Sequence, residues 1–245
     1  MIEYTLMGEN NLLCYFLHGG KISKQELSSV YDELLPGEKE AGVLADTVAS
    51  FLRAVCKAYD SCAILAVEDD FVVGKLRFYP TEPLDIMDGN LCVQTLDHLK
   101  YIANTNFKIP EKESLSKKSL RLYCFQIAEV YGSVSKGERS SYYKLGIGIN
   151  MLKKLIDWAR ENDWDEISGM AIQHIPPLMS WSNHLSVERF RKLGFKIEPS
   201  DMRCDGAVSQ RRGYHGPVIK ELWKPYNHLS DDEVSKMYKV SLDLK

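Results

Sequence analysis

A short glycine-containing segment stands immediately before a long amphipathic helix pattern in this chain. Gly146 and Gly148 lie in residues 143–149, and apolar residues then recur at helical spacing up to residue 162. The first turn of that pattern carries no acidic side chain. A helix that begins at a glycine turn presents free backbone N–H groups and the positive end of its dipole, which together attract phosphate. The sequence therefore predicts a site for a phosphate-bearing ligand at this turn.

The segments around this turn alternate between strand and helix patterns. Two β-rich runs, residues 62–67 and 71–79, are joined by the acidic residues 68–70, so they predict a hairpin. Further strands are predicted at residues 120–130, 165–172, 195–199 and 218–224. Interleaved with helices in this order, the strands indicate an α/β (α+β) fold built around one mixed sheet.

Helix patterns occur towards both ends of the chain and between the strands. Capping boxes begin at Ser23 and Ser230, each with a glutamate three residues later. Residues 45–59 have helical apolar spacing, and Asn183 is placed to cap a short helix that Gly194 ends. We predict three segments: an N-terminal helical extension at residues 1–59, a main domain at residues 60–228 with an insertion near residues 84–115, and a C-terminal helix at residues 229–245.

The composition is that of an ordinary globular protein. The 245 residues are 44% hydrophobic and carry a formal net charge of -3, which gives no reason to expect nucleic acid or an anionic membrane as a partner. The six cysteines are scattered without a C-x-x-C pair, so we expect neither a metal site nor a disulfide scaffold. The apolar run at residues 12–17 is too short to span a membrane. We expect a cytoplasmic protein, and the composition leaves its oligomeric state open.

Two common nucleotide-binding motifs fail at the glycines. The dinucleotide pattern G-x-G-x-x-G needs a third glycine where this chain has Met151. A Walker A loop needs a lysine after its last glycine, but Gly137 is followed by Glu138, whose charge would repel a phosphate. Ordinary nucleotide binding is therefore disfavoured.

Two separate motifs resemble those of the GCN5-related N-acetyltransferases. Residues 145–160 resemble the family's acyl-coenzyme A signature, [RQ]-x-x-G-x-[GA] opening a helix. Downstream, Asn183, Phe190 and Gly194-Phe195 match the pattern N-x6-[YF]-x3-G-F in residue type and spacing. The resemblance implies a GCN5-like mixed, mostly antiparallel sheet flanked by helices, with acetyl-coenzyme A as co-substrate. The helical segment at residues 1–59 would be an addition to that fold.

The resemblance also implies how the coenzyme would be held. The strand before the turn would splay from the strand at residues 165–172 and pair with the pantetheine amides. Asn183 would contact the coenzyme near that gap. The pyrophosphate would be bound by backbone N–H groups, with Lys144 as a charge partner. The implied N–H donors are those of Leu145, Gly146, Ile147, Gly148 and Ile149.

Two residues depart from the family pattern. Tyr143 stands where the signature has arginine or glutamine. Phe190 stands where many members have a tyrosine that protonates the leaving thiolate, and phenylalanine has no proton to give. Either another group donates this proton or the coenzyme leaves as the thiolate, since the pKa of a thiol is only about 8.5.

Transfer to an amine requires a group that accepts a proton, because the pKa of a lysine-like amine is about 10.4. Glu129, at the end of the strand before the turn, is the candidate base, and an exposed strand-end carboxylate is the alternative. His174, which follows the next strand, is a second candidate base or an ordinary loop histidine. The basic, aromatic residues 211–215 would suit an acceptor with a carboxylate or phosphate, or form a solvated loop.

We therefore predict an acetyl-coenzyme A-dependent N-acetyltransferase that acts on a primary amine by direct attack in a ternary complex. The acceptor is a small-molecule or protein amine. Two alternatives stay open, namely transfer of a longer acyl group and a non-catalytic acyl-coenzyme A-binding or regulatory module. The departures at Tyr143 and Phe190 favour the second alternative slightly.

Overall fold

The computed structural model describes most of the central and C-terminal chain. The described residues are 1–8, 22–23, 50, 52–69, 71–82, 109–127, 142, 145–179, 184–213 and 217–245. No helix within these residues is both long and apolar enough to span a membrane.

The described strands form one twisted sheet with a single parallel contact. The strands are β1 (Glu3–Leu6), β2 (Ile22–Ser23), β3 (Ala63–Glu68), β4 (Phe71–Pro80), β5 (Ser119–Ile127), β6 (Glu166–Ile172), β7 (Lys196–Arg203) and β8 (Lys236–Asp243). Along the sheet the order is β1-β3-β4-β5-β6-β8-β7, and the short β2 pairs with β4. Among these strands only β5 and β6 run parallel, so the predicted mixed, mostly antiparallel sheet is confirmed.

Helices lie on the sheet and beyond the end of β6. The described helices are α1 (residues 52–59), α2 (Ile147–Glu161), α3 (Pro176–Met179), α4 (Val187–Lys192), α5 (Asp205–Gly213), α6 (Pro217–Trp223) and α7 (Asp231–Val234). Single 3-10 turns occur at Lys112–Ser114 and Lys224–Tyr226. The helix predicted to follow the glycine turn is confirmed as α2.

The main core lies between α2 and the sheet. The apolar face of α2 includes Met151, Leu152 and Leu155, which are fully buried. Near the other end of this helix, the ring centroids of Trp158 and Phe78 on β4 are 5.3 Å apart. This packing fixes α2 on the central strands and so determines where the glycine turn lies.

The N-terminal segment is partly sheet rather than wholly helical. β1 pairs antiparallel with β3, with Thr5 opposite Leu65, because Tyr4 and Leu6 alternate with polar residues at the period of a strand. Ser23, predicted to cap a helix, pairs with Phe71 as part of β2. The helix pattern at residues 45–59 is confirmed over residues 52–59, where Leu52 and Val55 are buried. The other helix predicted in this segment lies outside the described residues.

Two predictions near the C-terminus are wrong. Residues 218–224, predicted as a strand, lie largely in helix α6, since Leu222 and Trp223 stand four residues after Val218 and Ile219. The capping box at Ser230 is confirmed, but its helix α7 is a single turn. The remainder of the predicted C-terminal helix is β8, where the buried Val240 and Leu242 alternate with more exposed residues. This strand lies between β6 and β7.

A second, smaller core lies at the end of β6, where helices α5 to α7 follow β7. It contains Ile172, Ile175, Leu178, Val208, Trp223, Val234 and Met237. The described residues between β7 and β8 thus form a helical cap packed on α3, where the sequence indicates a loop.

Candidate functional site

The one parallel strand pair in the sheet opens into a fork. β5 and β6 pair only from Ser119–Glu166 to Arg121–Ser168. Beyond that point β5 continues to Ile127 paired with β4, and β6 continues to Ile172 paired with β8. Within the described residues, no strand pairs with the β6-facing edge of β5 from residue 122 to residue 127. The splay predicted between these two strands is confirmed.

The N-terminus of α2 adjoins the wide end of this fork. Gly146 is the N-cap with φ of 73°, a left-handed conformation that glycine adopts without strain. The N–H of Asn150 donates to the Gly146 carbonyl oxygen at 3.0 Å, which begins the helical hydrogen bonds. The N–H groups of Ile147, Gly148 and Ile149 precede that bond and have no acceptor inside the helix. These N–H groups, with the positive end of the helix dipole, can bind an anion.

Gly148 allows this first turn to approach the fork closely. A Cβ atom at Gly148 would lie 3.1 Å from Leu185 Cδ2 and 3.9 Å from Phe125 Cδ1. Phe125 belongs to the stretch of β5 whose β6-facing edge is open, and Leu185 precedes α4. The absence of a side chain therefore brings the helix N-terminus against both walls of the fork.

The second wall is made by residues that pair with the end of β6. The N–H of Ile172 donates to the Leu185 carbonyl oxygen at 3.3 Å, and Ile172 forms a parallel bridge with Ser186. Ser186 is fully buried and is the N-cap of α4. The N-cap thus lies three residues after Asn183, so the prediction that Asn183 caps this helix is wrong. The predicted end of this helix at Gly194, with φ of 84°, is confirmed.

Phe190 fills the interior beside the fork. It is fully buried, and its ring centroid lies 6.4 Å from that of Phe125 and 5.0 Å from that of Phe195. Both contacts are close to perpendicular, which is a favourable arrangement for aromatic rings. Phe190, one of the two departures from the family pattern, is therefore a core residue that packs against the Phe125 wall of the fork.

His174 lies just beyond the end of β6, next to the Ser186 wall. Its Nδ1 is 3.2 Å from the hydroxyl oxygen of Ser186 and 3.7 Å from a carboxylate oxygen of Glu188. The His174 side chain is about half exposed, at 48%. The ring thus lies near a buried hydroxyl and an exposed carboxylate and is also accessible to water, an arrangement that allows a histidine to pass on a proton.

Tyr142, which stands three residues before Leu145, has a side-chain and a backbone hydrogen bond. Its hydroxyl donates to a carboxylate oxygen of Glu68 at 2.9 Å, and its carbonyl oxygen accepts from the N–H of Leu145 at 3.4 Å. The Leu145 N–H, predicted as a phosphate donor, therefore already has an acceptor. Leu145 is 53% exposed beside the turn.

Arg212, one of the basic residues predicted to border the acceptor, makes its contacts within the helical cap. Arg212 in α5 lies over the Trp223 ring at 5.1 Å, forms an ion pair with Asp231 at 2.6 Å and donates to the Leu229 carbonyl oxygen at 2.7 Å. These contacts connect α5 to the segment around α6 and α7. The guanidinium of Arg212 is thus engaged within the cap.

Three of the residues predicted for the site, Glu129, Lys144 and Asn183, lie outside the described residues. The described ones, from Leu145 to Ile149 together with His174, lie around the wide end of the same fork. Sequence reasoning missed Ser186, although a serine directly before a helix pattern is a common N-cap signal. It also missed Gln126, a polar residue near the end of β5 that the sequence does not set apart from the other polar residues of this strand.

The described residues form a cavity away from this site, and they do not form a metal-ligand cluster. An open cavity of about 600 Å³ lies at the closed end of the fork, lined by residues that include Glu82, Arg121 and Glu166. Glu166 there accepts from Lys117 and Ser119, each at 3.0 Å, so its charge is already compensated. The described chain contains no group of three or more His, Cys, Asp or Glu residues arranged to hold a metal ion.

Comparison with known proteins finds similarity only among solved structures. No protein-family model matches the sequence, and no curated protein matches it. The ribosomal-protein-S18-alanine N-acetyltransferase from Escherichia coli is 8% identical with a TM-score of 0.41, covering 100% of this chain and 95% of that chain. The polyamine N-acetyltransferase of Drosophila melanogaster is 12% identical with a TM-score of 0.44, covering 99% of this chain and 100% of that chain.

A third structure of this kind contains a ligand. The protein yncA from Salmonella typhimurium, a proposed acetyltransferase solved with its cofactor acetyl-coenzyme A, is 10% identical with a TM-score of 0.45. That similarity covers 100% of this chain and 95% of that chain. Values this low identify neither a reaction nor a substrate.

Proposed function

We propose that this chain belongs to the GCN5-related N-acetyltransferases and transfers an acetyl group from acetyl-coenzyme A to a primary amine. One observation carries the proposal, namely that β5 and β6 separate beside the glycine-capped N-terminus of α2. A separated strand edge and an anion-binding helix end at one place suit a ligand that has both amides and a pyrophosphate. The two sequence motifs that resemble the family flank this same place.

In this proposal the coenzyme lies along the fork. The pyrophosphate accepts hydrogen bonds from the first-turn N–H groups, of which Ile147, Gly148 and Ile149 have no acceptor inside the helix. The pantetheine amides pair with the open edge of β5 between residues 122 and 127, as an added strand would. Lys144 and Asn183 remain proposed contacts on the grounds of their places in the sequence motifs.

The reaction is direct transfer in a ternary complex. The amine nitrogen forms a bond to the thioester carbonyl carbon, and a backbone N–H at the fork stabilises the oxyanion that forms. The carbon–sulfur bond then breaks with its electron pair on sulfur, and the nitrogen loses one proton to a base. Glu129 is the proposed base, and His174 with its Ser186 neighbour is a second proton-handling group at the fork.

A binding measurement combined with a turnover measurement tests this function. Acetyl-coenzyme A and free coenzyme A should each raise the melting temperature in proportion to the logarithm of concentration, and ATP should raise it less. Thiol release across a panel of primary amines should accompany an acetylated product seen by mass spectrometry. Absence of any stabilisation by either form of the coenzyme would rule the proposal out.

A second candidate function has one observation in its favour. Phe190 is buried between two other phenylalanines and has no hydroxyl group, so it cannot protonate the leaving thiolate. A module that binds an acyl-coenzyme A without transferring the acyl group has no need of that proton. Coenzyme binding without thiol release from acetyl-, propionyl- or longer acyl-coenzyme A with any amine would favour this module.

The proposed setting is cytoplasmic, with a small-molecule or protein amine as the acceptor. The proposed base is tested separately from the coenzyme site. Glu129→Gln should lower the turnover rate and leave the affinity for coenzyme A unchanged. If the variant instead turns over at the rate of the unsubstituted protein between about pH 6 and pH 9, Glu129 is not the base.

A further inference from the structure

Gln126 is a buried polar side chain for which the described structure supplies no partner. It is 6% exposed, and neither its Nε2 nor its Oε1 has a hydrogen-bond partner. A buried amide that loses its hydrogen bonds to water without replacement lowers stability. Such a group in a native protein calls for a reason, and a ligand that pairs with it is one such reason.

The residue lies on the part of β5 that borders the open fork. Pairing between β5 and β6 ends at Arg121, five residues before Gln126. Across the β4–β5 pair Gln126 stands opposite Lys75, so the two side chains project from the same face of the sheet. That face is opposite the one carrying Leu76 and Phe125, since side chains alternate along each strand.

Helix α2 lies on the Phe125 face. A Cβ at Gly74 on β4 would lie 2.9 Å from Ile147 Cγ2, and a Cβ at Gly148 would lie 3.9 Å from Phe125. The proposed pyrophosphate site is therefore on that side of the sheet, and the coenzyme would come to the fork from there. The amine has to approach the thioester from the side that the coenzyme leaves free, which is the side of Gln126.

We infer that Gln126 binds the acyl acceptor, and that the acceptor is an amine with a carbonyl group on the adjacent carbon. This inference rests on the proposed function. A carboxamide presents a hydrogen-bond acceptor and a donor side by side, so it pairs fully with a ligand that presents a donor and an acceptor side by side. An α-amino carbonyl compound does so: its amine N–H donates to Oε1 and its carbonyl oxygen accepts from Nε2. A simple alkylamine or a polyamine has no such oxygen.

Access to the amide depends on movement of the residues that cover it. Neither amide atom is in contact with solvent. The acceptor therefore reaches Gln126 after the fork has opened around the coenzyme. An α-amino amide should accordingly raise the melting temperature only when coenzyme A is also present.

The test compares Gln126→Met with the unsubstituted protein on two amines. Glycinamide offers the amine and the adjacent carbonyl, and ethylamine offers the amine alone. Gln126→Met should lower kcat/KM for glycinamide about tenfold and lower it less for ethylamine, because glycinamide loses two hydrogen bonds to Gln126 and ethylamine loses only the one from its amine. The melting temperature of the free protein should rise, because an unsatisfied polar group has been removed. The α-amino carbonyl group could belong to the N-terminus of a peptide or to a free amino acid. Measuring kcat/KM with one substrate of each kind distinguishes these two sources.

A matched control is Gln173→Met, which makes the same chemical change where the amide has a partner. The Nε2 of Gln173 donates to the Glu233 carbonyl oxygen at 2.6 Å. This variant should lower the melting temperature and leave the ratio of the two kcat/KM values unchanged. Gln126→Leu provides a second variant if Gln126→Met folds poorly.

The outcomes separate this inference from the proposed function. One outcome is that the protein transfers the acetyl group while neither Gln126→Met nor Gln126→Leu changes the ratio of kcat/KM for glycinamide to kcat/KM for ethylamine. That result would overturn the inference and leave the proposed function standing. A loss of coenzyme affinity in these variants would also overturn it, because it would place Gln126 at the coenzyme instead. Absence of transfer to every amine would overturn both.

Discussion

The side chain of Leu122 in β5 occupies the space that a side chain on Gly169 in β6 would need. A Cβ atom at Gly169 would lie 2.9 Å from Leu122 Cβ and 3.3 Å from Leu122 Cδ1. These two residues directly follow Arg121 and Ser168, the last pair joined between the two strands. The fork thus begins where Leu122 packs over a glycine, and this contact holds the two strands at the point of separation.

Substitution of Gly169 tests this contact. Gly169→Ala would place its methyl group too close to the Cβ of Leu122, which is attached to the backbone and cannot rotate away. We expect a loss in the free energy of unfolding of about 1–3 kcal/mol, the usual cost of overpacking a well-filled site. Urea unfolding monitored by tryptophan fluorescence measures this loss.

A second glycine provides the control for that substitution. Gly206 lies in α5, and a Cβ at that position would have no atom within 4 Å. Gly206→Ala should therefore raise the free energy of unfolding, by up to about 1 kcal/mol, because alanine has the higher helix propensity. Equal effects of the two substitutions would show that Leu122 and Gly169 do not constrain the fork.

A charge placed beside the glycine turn tests the proposed pyrophosphate site. Leu145→Glu introduces a negative charge next to the N-terminus of α2 at a position that is 53% exposed. Coenzyme A should bind about three- to tenfold more weakly, since a charge near a helix terminus changes an interaction by of order 1 kcal/mol. Isothermal titration measures the affinity, and the effect should shrink as salt is added.

Leu145→Gln is the matched control for this charge, because glutamine has nearly the shape of glutamate without its charge. It should bind coenzyme A with close to the original affinity. If both variants lose affinity equally, the exposed apolar side chain contributes and the added charge does not. If neither variant loses affinity, the pyrophosphate lies away from this turn.

Acid should destabilise the protein through carboxylates whose pKa values are lowered by folding. Side-chain and backbone hydrogen bonds from Ser116 lower the pKa of Glu82 below its ordinary 4.5, and the Ser230 cap does the same for Glu233. A group whose pKa is lower in the folded state adds stability above its ordinary pKa, and this stability is lost as the pH falls through the folded pKa. The urea midpoint should fall from about pH 5 downwards, and Glu82→Gln should reduce this dependence. An unchanged dependence in Glu82→Gln would mean that another group is responsible.

The centre of the fold could be predicted from local patterns because its elements are determined by short-range chemistry. The hairpin of β3 and β4 follows from two β-rich runs and a turn, with Asp69 at a φ of 44°. Helix α2 follows from its apolar stripe and from the left-handed Gly146. The glycine turn of the candidate site was found for the same reason.

The errors arose where tertiary partners determine the structure. The four residues of β1 are too few to identify a strand without knowing that β3 offers them an edge. The eight residues of β8 do alternate at strand spacing, but they follow the capping box at Ser230, which indicated a helix. The capping box at Ser230 correctly marked a helix start but carried no information on its length. Gln126 is one of several polar residues in β5, and its burial without a partner became evident only in the folded chain.

Hydrogen–deuterium exchange with and without acetyl-coenzyme A tests the central claim most directly. If the coenzyme lies along the fork, exchange should slow at the backbone amides of residues 122–127 in β5 and of residues 147–149 at the start of α2. Residues 236–243 of β8, which lie beyond β6, should be unaffected. The claim would be contradicted if saturating coenzyme slowed exchange only around Glu82 and Glu166 at the closed end of the fork, or slowed it nowhere.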